Sequence, residues 1–283
     1  MEKVGVIILN YNSSNATLDA VNKVRQSKNV QTHIYVVDNN SDDNSLEVLN
    51  SQSDGIKVIE TGYNGGYAYG NNIGLRAALK DDNDFFCILN TDVDFSECTL
   101  QKLLDEYPRN SECIFGPTIL QSDGKIIQSV GAKTNYWIGR NRNICGGEAY
   151  SLKKSVNEVP DYISGAFLLF SRETLTRAGF LPENYFLYYE ENEWCVRASR
   201  KGVTIKVSWD VTVRHAGSVT VGEGSVLKKR YMNRNRMIFM RRNASTLQFF
   251  SFSCYLLILY VRDLMLKRDL TRFKEFWAGY KSI

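Results

Sequence analysis

The sequence predicts a mixed α/β fold with a mostly parallel central sheet flanked by helices. Short, continuous apolar runs alternate with capped or amphipathic segments in the amino-terminal part. Such runs are typical of strands that are buried on both faces of a parallel sheet. Polar and acidic residues follow several of these runs, and ligands of α/β folds bind at the carboxyl ends of the strands. The 283 residues suffice for one large domain or for one domain with an appendage.

The predicted elements follow one another as strand and helix. Strands are predicted at residues 4–9, 33–37, 56–59, 85–89, 113–120 and 163–170. Helices are predicted from cap residues 12–15 to about 26, and at 45–50, 70–80, 96–107 and 190–201, where Gly202 follows as a stop. Residues 121–160 are polar and irregular, and we expect a hairpin with a mobile loop over the site.

Charge divides the chain into an acidic body and a basic end. The overall net charge is +4, but from Arg214 onward there are 14 basic and 4 acidic residues, against 21 and 27 before it. A basic end indicates an anionic surface or ligand for that part of the chain. No nucleic-acid-binding module is recognisable, so we expect no nucleic acid partner.

Residues 247–261 form an apolar run between basic residues. Arg241 and Arg242 precede the run, and Arg262, Lys267 and Arg268 follow it. About 15 residues are fewer than the roughly 20 that span a bilayer, so we expect a membrane-interfacial helix. A helix that packs on the domain core or mediates a homo-oligomer is the alternative.

The six cysteines are scattered, and none forms a C-x-x-C pair. Cys87 lies inside a predicted strand. Because the first strand begins at once, without a targeting segment, the sequence favours a reducing, cytoplasmic compartment.

Asp92 and Asp94 lie one residue apart, and Asn90 and Thr91 connect them to the predicted strand at 85–89. Carboxylates at a sheet edge are suited to hold a hard divalent cation against a diphosphate. A D-x-D sequence is common by chance, and a solvated turn would explain it equally well. The features around the same predicted edge therefore decide the interpretation.

Five further segments supply polar groups at strand ends or helix starts. They are 10–12 (NYN), 38–43 (DNNSDD), 64–74 (NGGYAYGNNIG), 185–197 (YFLYYEENEWCVR) and 215–218 (HAGS). Asp38 ends a strand, where its carboxylate can accept a hydrogen bond from a nucleobase. The glycines at 65, 66, 70 and 74 allow backbone amides to approach a phosphate or sugar closely. Acidic groups among aromatic rings are typical of a general base, although they also suit a helix amino terminus.

The order and spacing of these motifs, with LNTDV at 89–93, SGAFLL at 164–169 and the basic R-N pair at 234–235, resemble the bacterial family 2 glycosyltransferases. The rhamnosyltransferase-like enzymes of cell-surface polysaccharide assembly, such as those of lipopolysaccharide or O antigen, are the most similar branch. The resemblance covers residues 4–242 and implies a GT-A fold with inverting sugar transfer. It implies a GT-A domain at 1–242, with a nucleotide-binding part at about 1–95 and an acceptor-binding part at about 96–242. Residues 243–283 would be a helical extension that binds membrane or mediates oligomerisation.

The resemblance also implies roles for individual residues. Donor-binding residues would be Asn10, Tyr11, Asn12, Asp38, Asn39, Asn64, Gly66, Asn71, Asn90, Asp92 and Arg234. The Mg²⁺ or Mn²⁺ ligands would be Asp94, Asp92 and His215, with Asp94 favoured for the metal and Asp92 for the ribose. The donor would be a dTDP- or UDP-linked sugar.

The family's usual E-D-x-D is Glu190-Glu191-Asn192-Glu193 in this chain, so glutamates replace both aspartates. We predict Glu191 as the catalytic base by position, although the sequence leaves the choice among the three glutamates open. Glu190, Glu193, Tyr188 and Trp194 would orient the base or contact the acceptor.

Rhamnose is the family-level candidate for the sugar, and the acceptor would be a glycan or a polyprenyl-diphosphate-linked glycan. The enzyme would then work at the inner face of the cell membrane. A metal-dependent nucleotidyltransferase is an alternative, but the first loop has no Lys or Arg to hold a triphosphate. A non-catalytic sugar-nucleotide-binding subunit is the other, against which the carboxylates of Asp92, Asp94 and Glu191 argue.

Overall fold

The computed structural model describes residues 1–151, 156–217, 226–267 and 270–281, and it confirms the predicted mixed α/β class. The strands of the described part are β1 (Lys3–Asn10), β2 (Gln31–Asp38), β3 (Ile56–Glu60), β4 (Phe85–Leu89), β5 (Val93–Asp94), β6 (Cys113–Leu120), β7 (Ile127–Ser129), β8 (Ala132–Asn135), β9 (Arg140–Asn143), β10 (Phe167–Ser171) and β11 (Thr204–His215).

The helices of the same part are α1 (Ser14–Arg25), α2 (Ser45–Ser51), α3 (Tyr67–Lys80), α4 (Thr99–Glu106), α5 (Arg172–Ala178), α6 (Glu190–Ser199), α7 (Val226–Asn243), α8 (Thr246–Lys267) and α9 (Thr271–Lys281).

The central sheet has the strand order β3-β2-β1-β4-β10-β6-β11-β5, and β7 pairs with β6 at one side. β1, β2, β3 and β4 are mutually parallel, as are β6 and β11, whereas β10 runs antiparallel to both β4 and β6. The parallel strands β1, β2 and β4 therefore end at one edge, and the loops that follow them come together there.

Two apolar cores cover the faces of this sheet. One core contains side chains of α1 and α4, and the other contains side chains of α3, α5 and α6. Strands β1 and β4 supply residues to both cores, which explains why their sequences are apolar without interruption.

Some boundaries differ from those predicted. The strand predicted at 163–170 is shorter, because a turn at 165–166 precedes β10. The first turn predicted at 96–98 lies before α4. The predicted hairpin is present as β8 and β9, and its turn contacts the carboxy-terminal helices, since Arg236 donates a hydrogen bond to the Ile138 carbonyl. A loop over the site stays a prediction, since residues 152–155 lie outside the described part.

The carboxy-terminal helices form a third cluster, in which Met237, Phe239, Phe252 and Phe276 are buried. The predicted boundary near residue 242 falls in the last turn of α7, and α9 packs back on α7. Whether residues 243–283 are a separate domain stays a prediction.

Helix α8 is longer than the apolar run predicted from the sequence. Over residues 246–266 it reaches a mean hydropathy of 1.6 with 17% of the window buried, so its length and composition would allow it to cross a membrane. The inference from the 15-residue run that this segment is too short to span a bilayer is opposed by the helix length, because the helix continues past Arg262 through Leu264, Met265 and Leu266. Arg268, predicted to flank the run, lies outside the described residues.

Candidate active site

The ends of β1 and β2 are joined by a buried hydrogen-bond network. Asn10 and Asp38 are register partners and fully buried. The Asn10 amide donates to the Asp38 carboxylate at 2.7 Å, and Ser41 donates to it from its backbone N–H at 2.9 Å and from its hydroxyl at 2.7 Å. A carboxylate has about four acceptor positions, so Asp38 retains capacity for one further donor.

The neighbouring residues that are predicted to bind the nucleotide sugar connect the loops at this edge of the sheet by hydrogen bonds. The amide of Asn12 bonds reciprocally with Asp42, and Asn39 donates to the Asn64 side chain at 2.9 Å and to the Gly66 carbonyl at 3.2 Å. Tyr11 is half-buried beside them, with no side-chain hydrogen bond among the described residues. These contacts fix the edge of the sheet where a nucleotide is predicted to bind.

The glycine-rich start of α3 contacts the loop that precedes α6. Gly66 has a φ of 86°, and a Cβ there would lie 2.1 Å from the carbonyl oxygen of Phe186. The Tyr67 N–H donates to that same oxygen at 2.8 Å. Gly66 is therefore required by a close contact with the backbone of Phe186. The sequence predicted the glycine for the approach of a phosphate or sugar instead.

Asn71 and Asn90 lie near this start of α3 and near β10. Asn71 is buried in α3, its amide donates to the Tyr67 carbonyl at 2.9 Å, and its Oδ1 is a buried atom without a partner in the described structure. Asn90 is half-buried, and its N–H donates to the Ala166 carbonyl at 2.9 Å. Asn90 thus ties the end of β4 to the turn before β10.

Asp92 and His215 form a pair across the β5–β11 ladder. The Asp92 Oδ1 lies 3.2 Å from the His215 Nε2, and the Ala216 N–H donates to the Asp92 carbonyl at 3.2 Å. The His215 Nδ1 lies 2.9 Å from the Gln128 Oε1. Ser218 of the same motif lies outside the described residues.

The chemistry of this pair suits a divalent cation. If Nδ1 donates to Gln128, then Nε2 of a neutral ring presents a lone pair toward the Asp92 carboxylate, and a proton or a cation must lie between them. The described residues contain no group of three or more candidate metal ligands. Any remaining ligands would therefore be diphosphate oxygens and water, which is how Mg²⁺ is commonly bound.

Asp94 does not contact the pair of Asp92 and His215. Its carboxylate is paired with Lys23 of α1 at 2.9 Å and its side chain is 56% exposed. It lines a polar cavity together with Ser96, Thr99 and Lys102, on the side of the sheet covered by α1 and α4. The preference for Asp94 over Asp92 as a metal ligand is therefore opposed by the geometry, because the two carboxylates have different partners on different elements.

The glutamates of α6 occupy three different environments. Glu190 is 3% exposed and its Oε2 has no partner in the described structure. Burial and repulsion from Glu191 hold the pKa of Glu190 well above its usual value. Glu191 is partly exposed, and burial raises its pKa to about 7. Glu193 accepts a hydrogen bond from the Tyr185 hydroxyl and pairs with Arg242 at 3.3 Å, so its carboxylate is used within the fold.

Trp194 and Tyr188 differ in their access to solvent. Trp194 is fully buried, and its indole N–H donates to the Gly179 carbonyl at 2.6 Å. This burial opposes a direct contact of Trp194 with the acceptor, whereas a role of Trp194 in orienting the base stays a prediction. Tyr188 is half-buried, with the Lys228 ammonium 6.0 Å from its ring centroid.

Three tyrosines lie within electrostatic range of Glu191, and one of them, Tyr67, also lies within range of Asp92. Burial raises the pKa values of Tyr67, Tyr162 and Tyr189, and the charge of Glu191 adds to the shift of each. The charges of Glu190 and Asp92 also act on Tyr67, whose hydroxyl donates to the Gly165 carbonyl at 2.5 Å. Tyr67 therefore lies within electrostatic range of both the candidate base and the candidate metal pair.

Helix α7 supplies the R-N pair. The Arg234 guanidinium donates to the Asn235 Oδ1 at 2.8 Å and, with Arg230, lines a polar cavity of about 480 Å³ beside Asn64. The buried Asn235 amide donates to the carbonyls of Tyr185, Leu187 and Tyr188 at 2.9, 2.7 and 2.8 Å. Sequence reasoning missed the roles of Asn235, Tyr67 and Gln128, although the first two lie within quoted motifs.

Comparison with known proteins identifies relatives of this arrangement. The family model "Glycosyl transferase family 2" matches residues 5–175. The low-salt glycan biosynthesis hexosyltransferase Agl10 of Haloferax volcanii is 28% identical over 206 residues, which are 72% of this chain and 64% of Agl10. The dTDP-rhamnosyl transferase RfbF of Shigella flexneri is 22% identical over 84% of this chain and 79% of its own. The chain therefore spans less than two thirds of the length of Agl10.

Solved structures share the fold at low sequence identity. The mannosyltransferase PcManGT of Pyrobaculum calidifontis, in complex with GDP-Man and Mn²⁺, superposes with a TM-score of 0.61 at 14% identity, covering 99% of this chain and 73% of that one. TarS 1–349 of S. aureus, in complex with UDP-GlcNAc, superposes with a TM-score of 0.59 at 16% identity, covering 98% and 79%. The predicted GT-A fold is thus confirmed.

Proposed function

Because this chain belongs to glycosyltransferase family 2, we propose that it transfers a sugar from a nucleotide-diphosphate donor to a hydroxyl group of a glycan acceptor. The observation that carries the proposal is Glu191, a partly exposed carboxylate with a pKa of about 7, within electrostatic range of the same tyrosine as Asp92. A group with a pKa near the working pH is suited to accept a proton in catalysis.

We assign the transfer as a single displacement with inversion. Glu191 accepts the proton of the acceptor hydroxyl while that oxygen attacks the anomeric carbon from the face opposite the leaving group. The new glycosidic C–O bond forms as the bond between the anomeric carbon and the diphosphate oxygen breaks, and the nucleoside diphosphate leaves with the bonding electrons. Glu190 is 3% exposed, which favours Glu191 as the group that meets the acceptor.

For the donor, we propose that Asp38 accepts a hydrogen bond from the imide N–H of thymine or uracil. Its carboxylate is held by Asn10 and Ser41 and keeps one free acceptor position, and because it is fully buried, the nucleobase would reach it only after the residues that cover it move. Such an imide is present in dTDP and UDP, and RfbF is named for a dTDP-rhamnosyl donor. We therefore propose rhamnose on dTDP as the first candidate donor, followed by UDP-linked hexoses.

For the metal, we propose that Asp92 and His215 hold Mg²⁺ or Mn²⁺ against the donor diphosphate. When bound, the cation would neutralise negative charge on the leaving nucleoside diphosphate. The two protein ligands leave room for phosphate oxygens, and Gln128 orients the histidine ring. The structural neighbour PcManGT was solved with Mn²⁺, which is consistent with use of a divalent cation.

We also propose that the protein acts at the inner face of the cell membrane on a lipid-linked glycan. Seven of the exposed side chains of α8 form an apolar stripe along the helix: Leu247, Phe250, Cys254, Leu257, Ile258, Val261 and Met265. Helices with a large exposed apolar surface and cationic flanks bind membrane interfaces.

Thermal unfolding in the presence of a panel of nucleotide sugars, with and without Mn²⁺, tests the donor proposal. A donor should raise the melting temperature only when Mn²⁺ is present, because a ligand that binds the folded state stabilises it. Release of the nucleoside diphosphate should then require an acceptor. A protein that binds the donor but never releases the nucleoside diphosphate with any acceptor preparation would contradict the transferase proposal.

A further inference from the structure

Helices α7, α8 and α9 enclose a cavity of about 270 Å³ that the catalytic proposal does not use. Its walls are mostly aromatic and aliphatic and include Met237, Phe249, Leu256, Tyr260, Phe273 and Trp277. An engineered apolar cavity of roughly 150 Å³ is large enough to bind benzene. This cavity is therefore large enough to accept a segment of a hydrocarbon chain.

Among the described residues, the charged groups of the cavity wall are Asp263 and Arg272, which form an ion pair. Asp263 is 5% exposed and pairs with Arg272 at 3.0 Å and with Arg262 at 2.8 Å. Two guanidinium groups thus compensate the carboxylate, and the described part of the wall carries no uncompensated negative charge. The wall therefore favours an apolar occupant, since close-packed protein interiors rarely leave a space of this size unfilled.

The cavity is open toward the apolar stripe of α8. Leu257, which belongs to the stripe and lines the cavity, is 61% exposed, and Trp277 on the opposite wall is 50% exposed. A hydrocarbon chain that entered between α8 and α9 would thus pass from the apolar stripe of α8 into the apolar cavity.

Two cations flank this opening. The Arg241 guanidinium lies 4.5 Å from the ring centroid of Tyr280, and the Lys281 ammonium lies 5.5 Å from that of Trp277. Both cations are exposed, and both rings line the cavity. Their positive charge complements an anionic headgroup at the end of an apolar chain.

Helix α7 connects the cavity with the candidate active site. Met237 lines the cavity, and Asn235, two residues earlier, holds the loop that precedes Glu190 and Glu191. Helix α9 is fixed closely to the same turn, because a Cβ at Gly279 would lie 2.3 Å from the Arg234 carbonyl oxygen. The cavity and the glutamates are therefore separated by one helix, which favours the acceptor lipid over a bilayer lipid as the source of the chain.

We propose that this cavity binds the hydrocarbon chain of an anionic, lipid-linked acceptor. The proposal rests on glycosyl transfer as the function and names the part of the acceptor that this chain recognises outside the catalytic site. The occupant has an apolar chain that enters between α8 and α9 and a phosphate or diphosphate headgroup near Arg241 and Lys281.

Trp277 offers a direct reporter of chain binding. A short bromine-labelled isoprenyl phosphate, kept below its micelle concentration, should quench the fluorescence of the full-length protein, and the Trp277→Phe variant should lose that quenching. Trp137 is exposed to a similar extent, 55%, but does not line the cavity, so Trp137→Phe should retain it. Inorganic phosphate should not compete. Quenching that persists in Trp277→Phe would reject the cavity as the binding site.

A matched pair of substitutions on α8 separates the cavity from general adsorption. Ser253 lines the cavity and is exposed, so Ser253→Phe fills the space without removing a packed side chain. Cys254→Phe adds the same ring to the exposed stripe next to it. Ser253→Phe should weaken binding of the isoprenyl phosphate at least tenfold, and Cys254→Phe should not. Equal binding by both variants would overturn the proposal, as would a concentration-dependent dimer of the parent that excludes the probe.

Kinetics distinguish this proposal from the transferase proposal. Ser253→Phe should raise the KM for a polyprenyl-diphosphate-linked glycan and leave the KM for the same glycan as a methyl glycoside unchanged. Transfer to both acceptors with unaltered KM would reject the chain site while leaving the transferase function intact. No transfer by the parent to either acceptor would instead reject the proposed function, whereas the fluorescence result would still report on the cavity.

Discussion

The side-chain amide of Asn235 lies 2.8 Å from the carbonyl oxygen of Tyr188, a residue with a φ of 69°. Phe186 and Tyr189 also have positive φ values, of 66° and 77°. Left-handed conformations of bulky residues cost roughly 1–3 kcal/mol each and persist only where surrounding contacts impose them. The Asn235 amide provides such contacts, because it donates to three carbonyl groups of this loop.

We therefore expect Asn235→Ala to impair turnover more than donor binding. The variant leaves three carbonyl groups without their donor, at a cost of about 1–3 kcal/mol of unfolding free energy. The loop would then relax, and Glu191 would lose its position. Chemical denaturation and steady-state kinetics measure the two effects. Asn233→Ala is the control on the same helix, since its amide bonds Glu275 of α9 at 2.7 Å. An equal loss of kcat in both variants would contradict a specific role for Asn235.

Gly66 should tolerate no side chain, because its backbone approaches Phe186. In Gly66→Ala the new Cβ meets a backbone carbonyl, which cannot rotate away, and overpacking of this kind costs about 1–3 kcal/mol beyond the strain of a positive φ. Gly62→Ala is a close match, because its φ is 81° but nothing lies within 4 Å of the new Cβ. Denaturation midpoints of the two variants should differ by that amount. If Gly62→Ala were as unstable as Gly66→Ala, the positive φ alone would account for the loss of stability, and the contact with Phe186 would contribute nothing.

Replacement of Glu191 should abolish proton acceptance without removing the donor site. Loss of a general base typically lowers the rate by about 10²- to 10⁴-fold, so Glu191→Gln should show that decrease in kcat. In the parent, kcat should rise with pH through about 7, since the carboxylate must be ionised to accept a proton. A variant with ordinary turnover, or a profile that is flat from pH 5 to 8, would reject the assignment.

The same pKa predicts how stability depends on pH. Between the ordinary value of 4.5 and about 7, the unfolded chain releases the Glu191 proton while the folded chain retains it. The contribution of this group to stability is therefore fully present below 4.5 and is lost as pH rises through 7. Glu191→Gln should unfold with a smaller decline in free energy over that window. A decline as steep as that of the parent would show that Glu191 is not the group responsible.

Asp92 and Asp94 should differ in their effect on metal-dependent donor binding. Asp92→Asn removes the charge that faces His215, so the affinity for the nucleotide sugar in Mn²⁺ should fall at least tenfold, or about 1.4 kcal/mol. Asp94→Asn breaks only an exposed pair with Lys23, and exposed pairs contribute about 0–1 kcal/mol. Calorimetric titration with and without Mn²⁺ distinguishes them. A larger loss in Asp94→Asn would restore the assignment made from the sequence.

The extent to which the sequence predicts this fold depends on how local the determining contacts are. Strands such as β1 and β4 are buried on both faces, so their residues are apolar almost throughout, and a short continuous apolar run predicts each strand. Strand β11 was not predicted, although Ile205, Val207, Val211 and Val213 alternate with polar residues. A register shift between Ser208 and Thr212 interrupts the alternation of buried positions there.

The candidate site shows the same dependence on distant contacts. Spacing alone cannot distinguish Asp92 from Asp94, because the pairing of β5 with β11 decides which carboxylate meets His215. The role of Asn235 depends on a loop about 50 residues away in the sequence. The motifs therefore predicted which segments meet at the site. The role of each residue within a motif could be assigned only from the tertiary structure.

The apolar stripe of α8 predicts binding to vesicles that contain anionic lipids. Phe250 and Ile258 are 68% and 66% exposed and do not line the cavity, so the double variant Phe250→Glu and Ile258→Glu should fold normally and retain turnover with a soluble acceptor. Burial of each side chain in the membrane contributes about 1.5–3 kcal/mol, and each glutamate adds repulsion from the anionic surface. Vesicle co-sedimentation should therefore fall by more than tenfold.

The control for this loss is Val159→Glu, which places a glutamate at a side chain that is 67% exposed and lies outside the carboxy-terminal helices. Its vesicle binding should equal that of the parent. Because the basic flanks contribute by charge, added salt should weaken binding of the parent, and neutral vesicles should bind it less than anionic ones. If the double variant co-sedimented as the parent does, the stripe would not be the membrane contact. A parent that dimerised but never bound vesicles would assign the same stripe to a second copy of the chain.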